Sequence, residues 1–210
     1  MGRTAARDLL LAEYTVSRET VSRIEIFIAE LRKWNQTVNL VSPLDIDRLW
    51  DRHVIDCVAA WRFVSSANRI LDIGSGAGFP GIIFAIMAQS DKKNAELTLV
   101  EANQRKAAFL RVVCSQLELN VRVIPSRVEN MGAESADIVS SRAFASIAST
   151  LSLLRRSLIT TKKICLMKGN KVNGELTAAS KIWHMTYQIY APYGSRKGYI
   201  LEIADDFRIL

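Results

Sequence analysis

Apolar residues in the first third of the chain recur at intervals of three and four. Val21, Ile24, Phe27, Ile28, Leu31 and Trp34 mark one face of an amphipathic helix, with Ser17 and Thr20 as candidate N-caps. A second helix is expected over 47–63, with Leu49, His53, Cys57 and Trp61 on one side. Residues 39–43 form the expected connecting loop, because Pro43 biases the residue before it away from helix. Beyond Ser66 the pattern changes. Short apolar runs over 69–73, 96–100, 121–124, 136–140 and 163–167 alternate with amphipathic stretches over 81–89, 104–118 and 147–158. That alternation predicts a doubly wound, mostly parallel α/β sheet. Residues 182–190 and 199–203 are strand-like and flank 191–195, which predicts an antiparallel C-terminal hairpin ending the sheet. The expected division is a helical N-terminal extension over 1–66 and a Rossmann-like domain over 67–210.

Composition narrows the class without deciding it. Apolar residues make up 49% and charged residues 23%, an ordinary globular balance. Against 21 acidic residues stand 28 basic ones, a formal net charge of +7, which favours a polyanionic partner. Cys57, Cys114 and Cys165 are odd in number, far apart and set among apolar neighbours, as expected of reduced core thiols in a cytosolic protein. No apolar run is long enough to span a bilayer, and the h-region of a secretory signal is missing. No His/Cys/Asp cluster has zinc-ligand spacing, so no metal is expected.

The most informative segment runs from Arg69 to Gly81. A strand ends at Ile73, a turn carries Gly74, Gly76 and Gly78, and a helix follows whose first turn is expected to hold Pro80. Gly76, Gly78 and Gly81 match a dinucleotide fingerprint formally, but that match alone is weak; a P-loop is excluded because no Gly-Lys-Ser/Thr follows. The pattern Asp72-x-Gly74-x-Gly76-x-Gly78 resembles motif I of class I S-adenosylmethionine methyltransferases. A carboxylate at the strand end can orient the ammonium group of that cofactor, directly or through water. Glu101 follows the second strand, where a carboxylate can accept both ribose hydroxyls; a helix N-terminal acid would look the same. Val128 and Glu129, after the third strand, are candidates for holding adenine. Arg142 and Lys168 follow the fourth and fifth strands on the same face, where no core needs a cation.

Longer motifs make the resemblance closer. Trp34-Asn35-Gln36-Thr37-Val38-Asn39-Leu40, Arg52-His53 followed by Asp56, the turn with Phe79-Pro80-Gly81, Ser126-Arg127-Val128-Glu129, Ser141-Arg142-Ala143-Phe144-Ala145 and Lys168-Gly169 occur in this order along nearly the whole chain. They resemble the bacterial glucose-inhibited division protein B family, the N7-guanine methyltransferases of small-subunit ribosomal RNA. The resemblance implies S-adenosylmethionine as donor and a guanine-527 type site in 16S ribosomal RNA as acceptor. It implies cofactor positions at Gly74, Phe79, Val128, Glu129 and Arg142, beside Asp72, Gly76, Gly78 and Glu101 from the motif. It also implies an RNA-facing set of Arg52, His53, Arg142, Lys168 and Arg196. At Glu101 some relatives place Asp, which leaves the register of the ribose contact open.

The chemistry so implied is undemanding. Guanine N7 has a lone pair and no proton, so attack on the sulfonium methyl needs no general base, and alignment of the reactants is the main task. No catalytic acid or base is therefore expected, and Arg142 and Lys168 position the substrate. Asn-Pro-Pro-Tyr and a Pro-Cys or Thr-Cys pair are absent, which weakens amine and pyrimidine-carbon methylation. His53, sharing a helix face with Leu49 and Cys57, reads from its spacing first as a packed core residue. The expectation is a monomeric cytoplasmic enzyme whose partner is 16S ribosomal RNA or the small ribosomal subunit, without DNA or membrane. The alternatives are a methyltransferase of small molecules or proteins, a non-catalytic RNA-binding protein with a decayed cofactor fold and, last, a nicotinamide-dependent oxidoreductase.

Overall fold

The computed structural model describes residues 3–191 and 198–210. Four helices come first: α1 (Arg3–Glu13), α2 (Arg18–Trp34), α3 (Pro43–Ile46) and α4 (Ile55–Val64). Ser17 caps α2 by accepting the amide of Thr20 at 3.1 Å. The apolar face of α2 is buried through Val21, Ile24, Phe27, Ile28 and Leu31, as its spacing predicts. The helix expected over 47–63 is interrupted. Its first turn is a wide π-type turn, Trp50–Val54, closed by the amide of Ile55 on the carbonyl of Trp50. Such a turn leaves a carbonyl without its helical partner. Here the carbonyl of Arg52 turns outward and accepts from the Arg142 guanidinium.

From β1 (Arg69–Ile73) onward strands and helices alternate: α5 (Gly81–Ser90), β2 (Glu96–Val100), α6 (Gln104–Gln116), β3 (Val121–Ile124), β4 (Glu134–Arg142), α7 (Ile147–Arg156) and β5 (Ile159–Gly169). The main sheet has the order β3-β2-β1-β4-β5-β8-β7, with β8 spanning Gly198–Ala204 and β7 Tyr187–Tyr190. Strands β1 to β5 are parallel; β8 runs antiparallel to β5 and β7, the predicted C-terminal hairpin. The run 182–190 is not one strand. Trp183–His184 (β6) pairs with Arg208–Ile209 (β9) in a small separate sheet, and Asp206 holds Thr186 through its amide and hydroxyl at the break. A further helix, α8 (Val172–Ala179), has no counterpart in the sequence reading.

Two hydrophobic clusters cover the sheet faces. One joins the N-terminal helices to α5 and α6 through Phe27, Phe84, Phe109 and Leu110. The other joins α7 and α8 to the sheet through Leu71, Ile73, Val139, Leu151 and Leu201. Helix α5 is apolar all round because it lies between the sheet and the α2 and α4 helices. Alternation along β1 sends Ile70 to the first cluster and Leu71 and Ile73 to the second. Asp72 shares the side of Ile70 and meets the start of α5.

Candidate active site

Strand order reverses between β1 and β4, so their carboxyl ends bound a crevice of the kind that holds ligands in doubly wound sheets. The turn after β1 forms one wall. The amides of Gly74 and Ser75 donate to the carbonyl of Val100 at 2.9 and 3.0 Å, which folds the turn over β2. Gly74, Gly76 and Gly78 have φ values of +68°, +56° and +92°, the left-handed region that only glycine adopts freely. Their surroundings differ. A Cβ on Gly74 would lie 2.2 Å from a Phe144 ring carbon, and one on Gly78 would lie 2.6 Å from Ile82. A Cβ on Gly76 would meet only the Gly74 carbonyl, at 3.7 Å. Two of the glycines thus make room for the protein, and the third leaves open space above the turn. Pro80 caps α5 instead of sitting inside its first turn, with a cis bond to Phe79.

Glu101 spans the turn and the next helix. One carboxylate oxygen accepts the amide of Gly76 at 2.8 Å and the other the amide of Asn103 at 2.7 Å. The helix N-terminal reading of this acid is realised at Asn103, and the same carboxylate also borders the glycine turn. Asp72 is only 1% exposed. It accepts the Ser140 hydroxyl at 2.9 Å, and burial pushes its carboxyl up to about 7 against the Ser75, Ser140 and Gly81 hydrogen bonds. The acid that opens the motif is thus enclosed beneath the turn and joins β1 to β4 and α5. Val128 is buried and Glu129 exposed on the short turn Val128–Asn130 that follows β3.

Phe79 is buried, 5.2 Å from the Phe27 ring and stacked on His53 at 4.9 Å with 27° between planes. Burial first, then the charge of Arg142, push His53 down to about 4, so the imidazole is neutral. Neither of its ring nitrogens has a hydrogen-bond partner among the described residues.

The second wall carries the cations. Arg142, at the end of β4, pairs with Asp56 at 3.1 Å, donates to the Arg52 carbonyl and reaches Cys57 Sγ at 3.7 Å. Lys168, at the end of β5, pairs with Glu175 at 2.9 Å and donates to the Ala145 carbonyl; its side chain is 8% exposed. Both cations stand on the expected face, each with a carboxylate partner that the sequence reading did not assign. The partner of Lys168 is on the unforeseen helix α8, and that of Arg142 is on α4. Arg52 is exposed and pairs with Asp45 at 2.8 Å. Arg196 lies outside the described residues.

A cavity of about 860 Å³ opens between these elements, lined by Arg52, His53, Asp56, Arg142, Phe144 and Lys168 among others. The structure therefore gathers four predicted RNA-facing residues around one space, and Gly76 with Glu101 around the neighbouring turn. Asp56 and Phe144 have no role in the sequence reading, although both lie in quoted motifs. The available signal was a carboxylate four residues after Arg52 and an aromatic side chain just past a strand end. Among the described residues, no group of His, Cys, Asp and Glu could hold a metal ion, and no helix is long and apolar enough to cross a membrane.

Known proteins resemble both the sequence and the fold. Residues 20–196 match the family model GidB, described as rRNA small subunit methyltransferase G. A ribosomal RNA small subunit methyltransferase G from Gluconobacter oxydans is 41% identical over 197 residues, covering 93% of this chain and 99% of the relative. One from Cereibacter sphaeroides is 39% identical over 181 residues, covering 85% and 87%. Among solved structures, a SAM-dependent methyltransferase from Aquifex aeolicus superposes with a TM-score of 0.58 at 13% identity, covering 85% of this chain and 98% of that one. That likeness shows the class I methyltransferase fold.

Proposed function

The chain belongs to the rRNA small subunit methyltransferase G family, and on that premise we propose that it transfers a methyl group from S-adenosylmethionine to N7 of one guanine of 16S ribosomal RNA. One observation carries this reading: the open space over Gly76, bordered by the Glu101 carboxylate, adjoins the crevice between β1 and β4. The residues present fit the donor. Gly76 leaves backbone that a ligand can approach closely, while Gly74 and Gly78 let the turn fold against Phe144 and Ile82. Glu101 offers its remaining lone pairs to ribose hydroxyls, and Val128 and Glu129 follow β3 where the adenine would be held. Asp72 shapes this site from below by fixing the turn, and Phe79 by packing between Phe27 and His53. Bound there, S-adenosylmethionine supplies an electrophilic methyl group.

What remains for the protein is alignment and charge. N7 loses no proton, so a neutral His53 and three buried thiols suffice without an acid or base. The methylated base is cationic, and in the cavity wall Arg52, Arg142 and Lys168 are each paired with a carboxylate of Asp45, Asp56 or Glu175, which tempers their repulsion of that charge. Arg142 links this wall to the cofactor side. Arg52 engages RNA phosphate from its exposed position, and Lys168 orders the loop at Ala145. The substrate is cytoplasmic 16S ribosomal RNA, free or in the small subunit, and the enzyme acts as a monomer. The test is incorporation of labelled methyl from the donor into small-subunit particles and into free 16S transcript, both lacking the modification. Incorporation into either supports the reading; labelling of neither, by a protein that binds S-adenosylhomocysteine, overturns it.

A further inference from the structure

Resting on the methyltransferase reading, we propose that Phe144 is the platform on which the target base stacks. Phe144 lies in the loop that follows β4, at the point where strand order reverses. Its ring covers the backbone of the glycine turn: a Cβ on Gly74 would stand 2.2, 3.0 and 3.1 Å from three of its carbons. It also lines the cavity that holds Arg52, His53 and Arg142. One aromatic ring thus lies between the donor's turn and a space beside it that Arg142 and Lys168 both line.

Burial in the hydrophobic core does not account for this ring. Phe144 belongs to neither hydrophobic cluster and is 39% exposed, whereas Phe27, Phe84 and Phe109 are fully buried. The loop nevertheless holds it firmly. Ala143 is in the left-handed region at φ +53°, a conformation costly for a residue with a Cβ. Ser141 anchors the strand end to the Ile73 carbonyl at 2.9 Å. The Arg142–Asp56 pair fixes one side of Phe144, and Lys168 on the Ala145 carbonyl fixes the other. An exposed, preorganised phenyl ring has no hydrogen bond to offer, but a flat base does need a surface. Unstacked bases are held this way on aromatic side chains. With one face on Phe144, a guanine would keep its edge, where N7 lies, free to turn toward the glycine turn.

The experiment compares wild type, Phe144→Leu and Phe144→Tyr. Each is assayed for kcat/KM with unmodified small-subunit particles at saturating donor, and titrated with S-adenosylhomocysteine. Leucine keeps apolar bulk without a π-face, and tyrosine keeps the ring. Phe144→Leu should lose roughly tenfold to a hundredfold in kcat/KM for RNA, Phe144→Tyr should stay near wild type, and both should bind S-adenosylhomocysteine as wild type does. Wild-type kcat/KM in Phe144→Leu overturns the proposal while leaving the methyltransferase reading intact. A loss in both variants that parallels lost S-adenosylhomocysteine affinity also overturns it, and makes Phe144 a packing residue of the turn. A wild type that methylates no RNA removes the parent reading and this one with it.

Discussion

The three glycines of the turn look alike in sequence but should respond differently to the same added methyl group. At Gly76 the added Cβ meets only a carbonyl at 3.7 Å, so the folded state loses little packing. The φ of +56° remains, and an L-residue in that region costs about 1–2 kcal/mol. At Gly78 the same backbone cost is joined by a Cβ 2.6 Å from Ile82 and 3.3 Å from Leu110, and overpacking of that kind adds about 1–3 kcal/mol. For a chain of this size each kcal/mol shifts Tm by roughly 2–4 °C, so Gly76→Ala should melt some 2–8 °C below wild type and Gly78→Ala further below. Ligand binding should separate the pair in the opposite sense. The Gly76 methyl fills the space assigned to the donor, and S-adenosylhomocysteine affinity should drop by roughly tenfold or more. The check is thermal unfolding with calorimetric titration on the same preparations. Undiminished affinity in a folded Gly76→Ala protein would refute the assignment of the open space. Equal destabilisation by the two changes would refute the packing argument.

Three further outcomes follow from the site. Asp72 is held up to about 7 from an ordinary 3.8, so the folded state keeps a proton that the unfolded chain releases. Its contribution is full below the lower value and is lost as pH rises through about 7; urea unfolding of wild type and Asp72→Asn should show their stability difference shrinking or reversing across that window, and parallel pH profiles would contradict it. Lys168→Ala leaves Glu175 with only the Ile147 amide and solvent as partners and should cost about 1–3 kcal/mol, less than a fully buried pair; Lys168→Met with Glu175→Leu should recover part of it, and a single change with no effect on denaturant midpoint would sink the pairing argument. Burial pushes Cys57, Cys114 and Cys165 up to about 12, so a thiol reagent should modify them only on unfolding, and no covalent RNA adduct should form; one rapidly modified thiol in the native protein would count against direct transfer.

Periodicity revealed much of this fold because its central strands are buried on both faces and its helices on one. The ends of β1 and β2 match their apolar runs for that reason, and those of β3 match as well although it is a sheet-edge strand with no buried residue. Strands β4 and β5 extend beyond theirs because Glu134, Arg142, Thr160 and Gly169 continue the backbone ladder with polar or small side chains. The break at Thr186 depends on Asp206, twenty residues later, and no local window contains both. The π-type turn depends on Arg142 accepting the role of partner to a carbonyl ninety residues away. At the site, spacing identified which residues surround the crevice, but charge pairing is a tertiary property. Arg142 and Lys168 face the cavity as their strand ends predict, yet Asp56 and Glu175 claim their charges. The glycine motif, in turn, announced a ligand turn without distinguishing Gly76, which leaves space, from Gly78, which accommodates Ile82.

The central claim is methylation at one ring nitrogen, and position-specific chemistry on the RNA product tests it most directly. Unmodified small-subunit particles are incubated with the protein and S-adenosylmethionine, and the RNA is reduced and treated with aniline, which cleaves the strand at N7-methylated guanine. The account predicts one new scission, at a single guanine of 16S ribosomal RNA, dependent on both protein and donor and weakened with Gly76→Ala at limiting donor. Methyl incorporation without strand scission, or scission at many guanines, would contradict it.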